Sequence, residues 1–237
     1  MTETSDVWPE PVAGAPLTTR ASAELALAVA AREMSDLARA LVPVGPVRES
    51  YAGALVAEAR QLTALAGRAL AAAVAVECAD GTPWADIAAA AGEETAQARA
   101  RWEPMVRQWD AAVEQAAVPG DRDDTPVEDT LAALDAWVVH HRDPDPAGDD
   151  RPVSAALGRM DPHHELMHLA AVRRRLAALH DGATPPAQLL DLVEREALVE
   201  EHLAAAADPA DRPDHEQAAH RARTMAAHLR ARTEGAG

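Results

Sequence analysis

The chain has 237 residues and a formal net charge of −17, set by 39 acidic against 22 basic residues, and every basic one is an arginine. That balance argues against a strong nucleic-acid footprint, and the single cysteine, Cys78, excludes an internal disulfide and suits a reducing compartment. Lysine, asparagine and phenylalanine are absent, the imprint of a GC-rich genome, so arginine richness alone does not signal phosphate recognition.

Helical periodicity runs from end to end, strand signals are absent, and the expected class is all-α. Residues 1–16 hold Pro9, Pro11 and Pro16 among acids and lack the basic start and apolar run of a secretory signal, so they read as a flexible tail. The expected location is the cytoplasm. Between Thr18 and Val42, Leu27, Ala30, Met34, Leu37 and Leu41 recur at three and four, a seam for another helix. Pro43, Gly45 and Pro46 end it. A long helix follows from Val47 to Glu77, with Tyr51, Leu55, Leu62, Leu65, Ala69 and Val76 on its apolar side. Its most apolar stretch, Leu62 to Val76, is interrupted by Arg68 and followed by Glu77, which reads as too short and too charged to span a bilayer.

The run from Thr82 to Trp102 reads as two short helices joined at a glycine. Thr82 is placed to cap the first, with Pro83 in its first turn. Trp84, Ile87, Ala88 and Ala91 form one stripe; Ala88 is small where a second helix must come close, and Gly92 supplies a left-handed exit. Ala98 and Trp102 close the pair from the second helix. This is the spacing of a helix-turn-helix, which lays its second helix in the major groove. Trp84, Ile87, Ala88, Ala91, Gly92, Ala98, Arg101 and Trp102 together resemble actinobacterial helix-turn-helix proteins with a sigma-factor-like DNA-binding motif, over roughly residues 60–109. The resemblance implies DNA binding and transcriptional control. This chain departs from the family at the reading positions, where Glu93, Glu94, Thr95 and Ala96 replace the usual valine, serine or threonine, and Arg-Gln pair.

On that reading Thr95, Ala96, Arg99 and Ala100 face the groove, with Arg101 or Arg107 on phosphate. By segment the charge is −4 for residues 1–80, −3 for 81–118, −7 for 119–152 and −3 for 153–237, so no segment is basic. The three arginines of the second helix stand against Glu93, Glu94 and Glu103.

Pro104 breaks or kinks the second helix. An acidic stretch at residues 119–124 ends a helical domain spanning 17–118. Thr125-Pro126-Val127-Glu128 forms a capping box for a helix over 126–141 inside an acidic linker, 119–152. The remainder, 153–237, reads as a helical bundle or coiled-coil region with helices starting near Asp161, Thr184 and Pro213. Leu169, Val172, Leu176 and Leu179 make one seam; Ala218, Ala222, Met225 and Leu229 make another.

His164-Glu165-Leu166-Met167-His168 matches the His-Glu-x-x-His spacing of zinc hydrolases, where two imidazoles bind zinc and the glutamate activates its water. Neither the glycine nor the histidine of the extended metzincin pattern follows, which leaves His180, Glu194 and Glu196 as unsupported third ligands, and all ten histidines are scattered from His140 onward, so the pair reads more simply as coincidence. No phosphate loop, nucleophile elbow or Cys-x-x-Cys is present. The expectation is a non-enzymatic, cofactor-free regulator that binds duplex DNA as a homodimer joined through its C-terminal helices, with no membrane role. Its competitor is a protein-interaction module whose acidic helix-turn-helix docks a basic protein, as an adaptor or DNA mimic would.

Overall fold

The computed structural model describes residues 9–42, 51–116, 127–141, 150–180 and 184–234, with side chains of 112–116 outside that description. Among the described residues the chain is all-α: α1 (Thr19–Leu41), α2 (Ala54–Ala79), α3 (Trp84–Ala91), α4 (Thr95–Ala116), α5 (Val127–His141), α6 (Pro162–Leu179), α7 (Pro186–Ala206) and α8 (Arg212–Glu234), with no strand. Thr125 and Pro126, expected to cap α5, and the acidic stretches at 119–124 and 143–149 lie outside the described residues.

The helices fall into two units, one holding α1 to α3, α4 up to residue 111, α5 and residues 150–158, the other holding residues 9–16 with α6 to α8. This grouping differs from the division by sequence: residues 153–158 join the first unit rather than the C-terminal helices, residues 112–116 leave it, and α5 and residues 9–16 are placed otherwise than expected. Helix α5, expected within a linker, packs Leu131 against Leu17 and Ala21 at the start of α1 and Leu157 beyond it. Residues 9–16, expected as tail, turn at Gly14, where the Ala15 N–H donates to the Val12 carbonyl at 2.8 Å. That turn buries Val12 in a core with Leu169, Val172 and Leu176 of α6 and Leu192, Val199 and Leu203 of α7.

In the first unit α1 and α2 form an antiparallel hairpin. Thr18 caps α1 by accepting from the Ala21 N–H at 3.1 Å. Ion pairs tie the near ends, Arg20 to Asp80 at 2.6 Å, and the middles, Arg68 to Glu33 at 2.6 Å. Trp137 of α5 donates its indole N–H to Asp36 at 3.3 Å. Asp135, buried on α5, accepts from the backbone N–H of Val153 at 2.7 Å and of Ser154 at 3.1 Å, and from the Ser154 hydroxyl. Burial pushes its carboxyl up, but the bonds from Ser154 and Val153 together outweigh burial and hold it below the ordinary carboxylate range.

In the second unit α7 and α8 form an antiparallel pair whose seam is mostly alanine: Val193 and Ala197 meet Ala222, Ala226 and Leu229. Arg223 pairs with Glu201 through two bonds of 2.7 Å, and Arg230 pairs with Glu194 at 2.6 Å, both across the pair. The hydrogen bond from Arg223 lowers the Glu201 pKa, and the same bond raises that of Arg223. Two seam assignments need correction. Leu179 is 66% exposed, one turn past the buried Leu176, and Met225 is 49% exposed because α8 turns Ala219 and Ala226 inward instead.

Candidate nucleic-acid interface

The geometry around α3 and α4 begins with two backbone turns. Helix α2 ends at Gly81, with φ +77°, where Thr82 N–H reaches the Glu77 carbonyl at 2.9 Å and Gly81 N–H the Cys78 carbonyl at 3.1 Å. Helix α3 ends the same way at Gly92, φ +69°: Glu93 N–H bonds to the Ala88 carbonyl at 2.9 Å and Gly92 N–H to Ala89 at 3.2 Å. Both are Schellman closures, which satisfy the last carbonyls and need a left-handed residue. Thr82 is not the cap expected of it. Pro83 occupies that position, its carbonyl accepting from Asp86 and Ile87, and the Thr82 hydroxyl instead donates to Glu77 at 2.6 Å.

Between the turns, Val74 of α2, Ile87 and Ala88 of α3 and Ala98 and Trp102 of α4 share one buried core, with Trp84, Cys78, Met105 and Val106 packed on it. Ala88 and Ala98 are 1% and 0% exposed, so small side chains are buried between Ile87 and Trp102 where α3 and α4 share their core. Burying Ile87 and Val74 contributes about 1.5–3 kcal/mol each. Cys78 belongs to this packing; burial raises its thiol pKa, and Asp110 and Glu77 raise it further, which leaves it a poor nucleophile. Pro104 stands inside α4 without ending it.

All six residues assigned to DNA contact, Thr95, Ala96, Arg99, Ala100, Arg101 and Arg107, are exposed on α4. Their charges are partly committed. Arg99 donates to Glu103 at 3.2 and 3.4 Å, and Arg101 donates to Glu93 at 2.6 Å while its guanidinium lies 4.3 Å over the Trp102 ring. The hydrogen bond from Arg99 holds the Glu103 carboxyl below its usual range, and the charges of Arg99 and Arg107 act in the same direction. The Glu93–Arg101 bond, from the residue after Gly92 onto α4, was hidden in the sequence because its partners lie eight residues apart and meet only where Glu93 folds back beside α4.

The His-Glu-x-x-His stretch lies elsewhere, at the start of α6. Asp161 caps this helix, accepting from the N–H of His163 at 3.0 Å and of His164 at 3.1 Å, and its second oxygen bonds the His164 imidazole. Burial raises the Asp161 pKa, yet the bonds from His164 and His163 prevail and lower it. Glu165 is 0% exposed and clamped by Arg195 of α7 at 2.5 and 3.0 Å, while Arg195 also donates to the Ala13 carbonyl at 2.7 Å. A carboxylate so held has no path to a metal-bound water. Among the described residues, His164 and His168 included, no three histidine, cysteine or acidic side chains converge as a metal site. No family model, curated protein or solved structure matches the chain.

Proposed function

We propose that the chain is a non-enzymatic transcriptional regulator that reads duplex DNA with α4, acting as a homodimer. The observation that carries this reading is the α3–turn–α4 pair itself. Its inward residues, Ile87, Ala88, Ala98 and Trp102, are spent on packing, while Thr95, Ala96, Arg99 and Ala100 stand exposed along the first two turns of the second helix. Small residues there let the helix axis approach base edges closely, and Arg99 supplies the donor fork that recognises guanine. Because Arg99 and Arg101 are engaged by Glu103 and Glu93, a base edge and a phosphate must displace these carboxylates, so one copy binds weakly and affinity depends on two.

A gel shift against genomic fragments across a salt series tests this. The expected result is a shift at low salt that weakens steeply as salt rises, with R99A relaxing sequence preference; no shift at low salt overturns the proposal. The engagement of the arginines by their own acids favours one second reading, a module in which Glu94 and the Glu93 and Glu103 carboxylates dock a basic protein. Retention of an arginine-rich protein by a chain that shifts no DNA would select it.

A further inference from the structure

The two acids that engage the arginines of α4 are of different kinds. Glu103 lies one turn along the same helix from Arg99, its side chain is 34% exposed, and the two form an i, i+4 pair at 3.2 Å. Such pairs are weak and exchange freely with water. Glu93 precedes α4, directly after Gly92, and its place is set by the bond from its own N–H to the Ala88 carbonyl at 2.9 Å. Its side chain is 15% exposed. One carboxylate oxygen accepts from Arg101 at 2.6 Å, and the other is buried with no hydrogen-bond partner among the described residues.

Arg101 is held from a second side as well. Its guanidinium lies 4.3 Å over the ring of Trp102, which is itself part of the α3–α4 core. The ion pair and the ring contact thus tie Arg101 to two residues that the scaffold already fixes. To meet a phosphate with its donor fork, the guanidinium has to give up the Glu93 carboxylate. That strands an acid which is mostly out of water and already has one oxygen without a donor. Arg99 loses far less, because Glu103 is left in solvent.

We infer that Glu93 is an autoinhibitory residue of the α4 surface, an internal carboxylate that occupies Arg101 in place of a backbone phosphate. The inference rests on the DNA-reading role proposed for α4 and supplies its regulation. Arg99 is available to read, Arg101 is withheld, and the phosphate contact falls to Arg107, which is exposed farther along the helix and acts on Glu103 through its charge. An arginine that leaves a glutamate for a phosphate exchanges one ion pair for another. Arg101 therefore adds little to affinity and little to the steepness of the salt dependence while Glu93 is present.

Fluorescence anisotropy of a labelled mixed-sequence DNA duplex, titrated with the full chain across a salt series, tests it. E93Q, with its helical circular dichroism retained, is expected to bind about fivefold tighter for each copy bound, and its log–log salt slope to steepen by about 0.9 for each copy. E93A, which removes the amide acceptor as well, should gain at least as much. E94Q removes the same charge from an exposed neighbour that bonds no arginine among the described residues, and should gain less than about twofold. The gain should vanish in E93Q/R101A. A gain in E93Q no larger than in E94Q, or one that survives in E93Q/R101A, overturns the inference, while duplex binding by wild type leaves the DNA reading standing. If neither wild type nor E93Q binds the duplex, the DNA reading falls and a heparin column decides the rest. Elution of E93Q at higher salt than E94Q keeps Glu93 as an internal competitor for anions, and equal elution removes it.

Discussion

Removing either member of the Glu165–Arg195 pair should destabilise the α6–α8 unit, and by unequal amounts. Glu165 is fully buried, whereas Arg195 keeps 21% of its side chain exposed and has the Ala13 carbonyl as a further acceptor. Losing one partner of a buried pair costs about 3–5 kcal/mol, because the other is left charged in a poorly hydrated site. In E165Q the stranded guanidinium retains Ala13 and some water, so the cost belongs at about 3 kcal/mol. In R195M a carboxylate with no exposed surface is stranded, and the cost belongs near about 5 kcal/mol. The double variant E165L/R195M, which leaves no charge behind, should recover most of the loss and lie within about 1–2 kcal/mol of wild type. Urea unfolding followed by circular dichroism in the helical band measures all three. If E165Q unfolds at the wild-type midpoint, or the double variant is as unstable as R195M, the structural assignment of Glu165 is refuted and a role outside folding must be sought.

Three further outcomes can be checked the same way. G92A should cost about 1–2 kcal/mol from backbone strain alone, since φ is +69° and the added methyl meets nothing within 4 Å; a neutral result would mean that α3 does not end in a left-handed residue. D135N should cost about 2 kcal/mol at neutral pH, because Val153 and Ser154 donate to a charged acceptor. The folded Asp135 pKa lies below its unfolded value, so its contribution is present above the unfolded carboxylate range and is lost as pH falls through the folded value; the D135N variant should therefore show a flatter acid limb than wild type, and parallel limbs would refute this. A226L should cost about 1–3 kcal/mol by overpacking the α7–α8 seam, where Ala226 is 0% exposed, and a stabilised variant would mean that the seam is looser than described.

What the sequence made legible was punctuation and local stripes. Gly92 announced a left-handed exit, Asp161-Pro162 announced the start of α6, and the Ile87, Ala88, Ala98 and Trp102 set closed as its spacing required. The register of α8 was not legible, for a specific reason. Ala218, Ala222, Met225 and Leu229 and the observed Ala219, Ala222, Ala226 and Leu229 both follow three- and four-residue spacing and share two members, so alanine on neighbouring positions leaves periodicity unable to choose. Long-range polar contacts were equally hidden. Glu165 matched a zinc-hydrolase spacing because that motif is local, while Arg195, which holds it, lies 30 residues away on another helix. Val12 looked like tail because prolines surround it, although Leu169 and Val172 cover it. On α4 the positions of the proposed contact residues were readable, but the carboxylates that engage Arg99 and Arg101 were not all so, since Glu93 lies outside the helix, eight residues before Arg101.

The paired Schellman closures at Gly81 and Gly92 separate how the α4 surface is held from how it can change. Both joints are closed by main-chain bonds and by the handedness of one glycine each, and although Arg101 bonds Glu93 beside the second, neither closure uses the side chains at 95, 96, 99 or 100. Positions 95, 96, 99 and 100 can therefore be exchanged together with little effect on whether the scaffold assembles. A library randomised at those four sites should remain folded in most of its members, which makes α4 a surface on which new specificities can be selected without rebuilding what carries it.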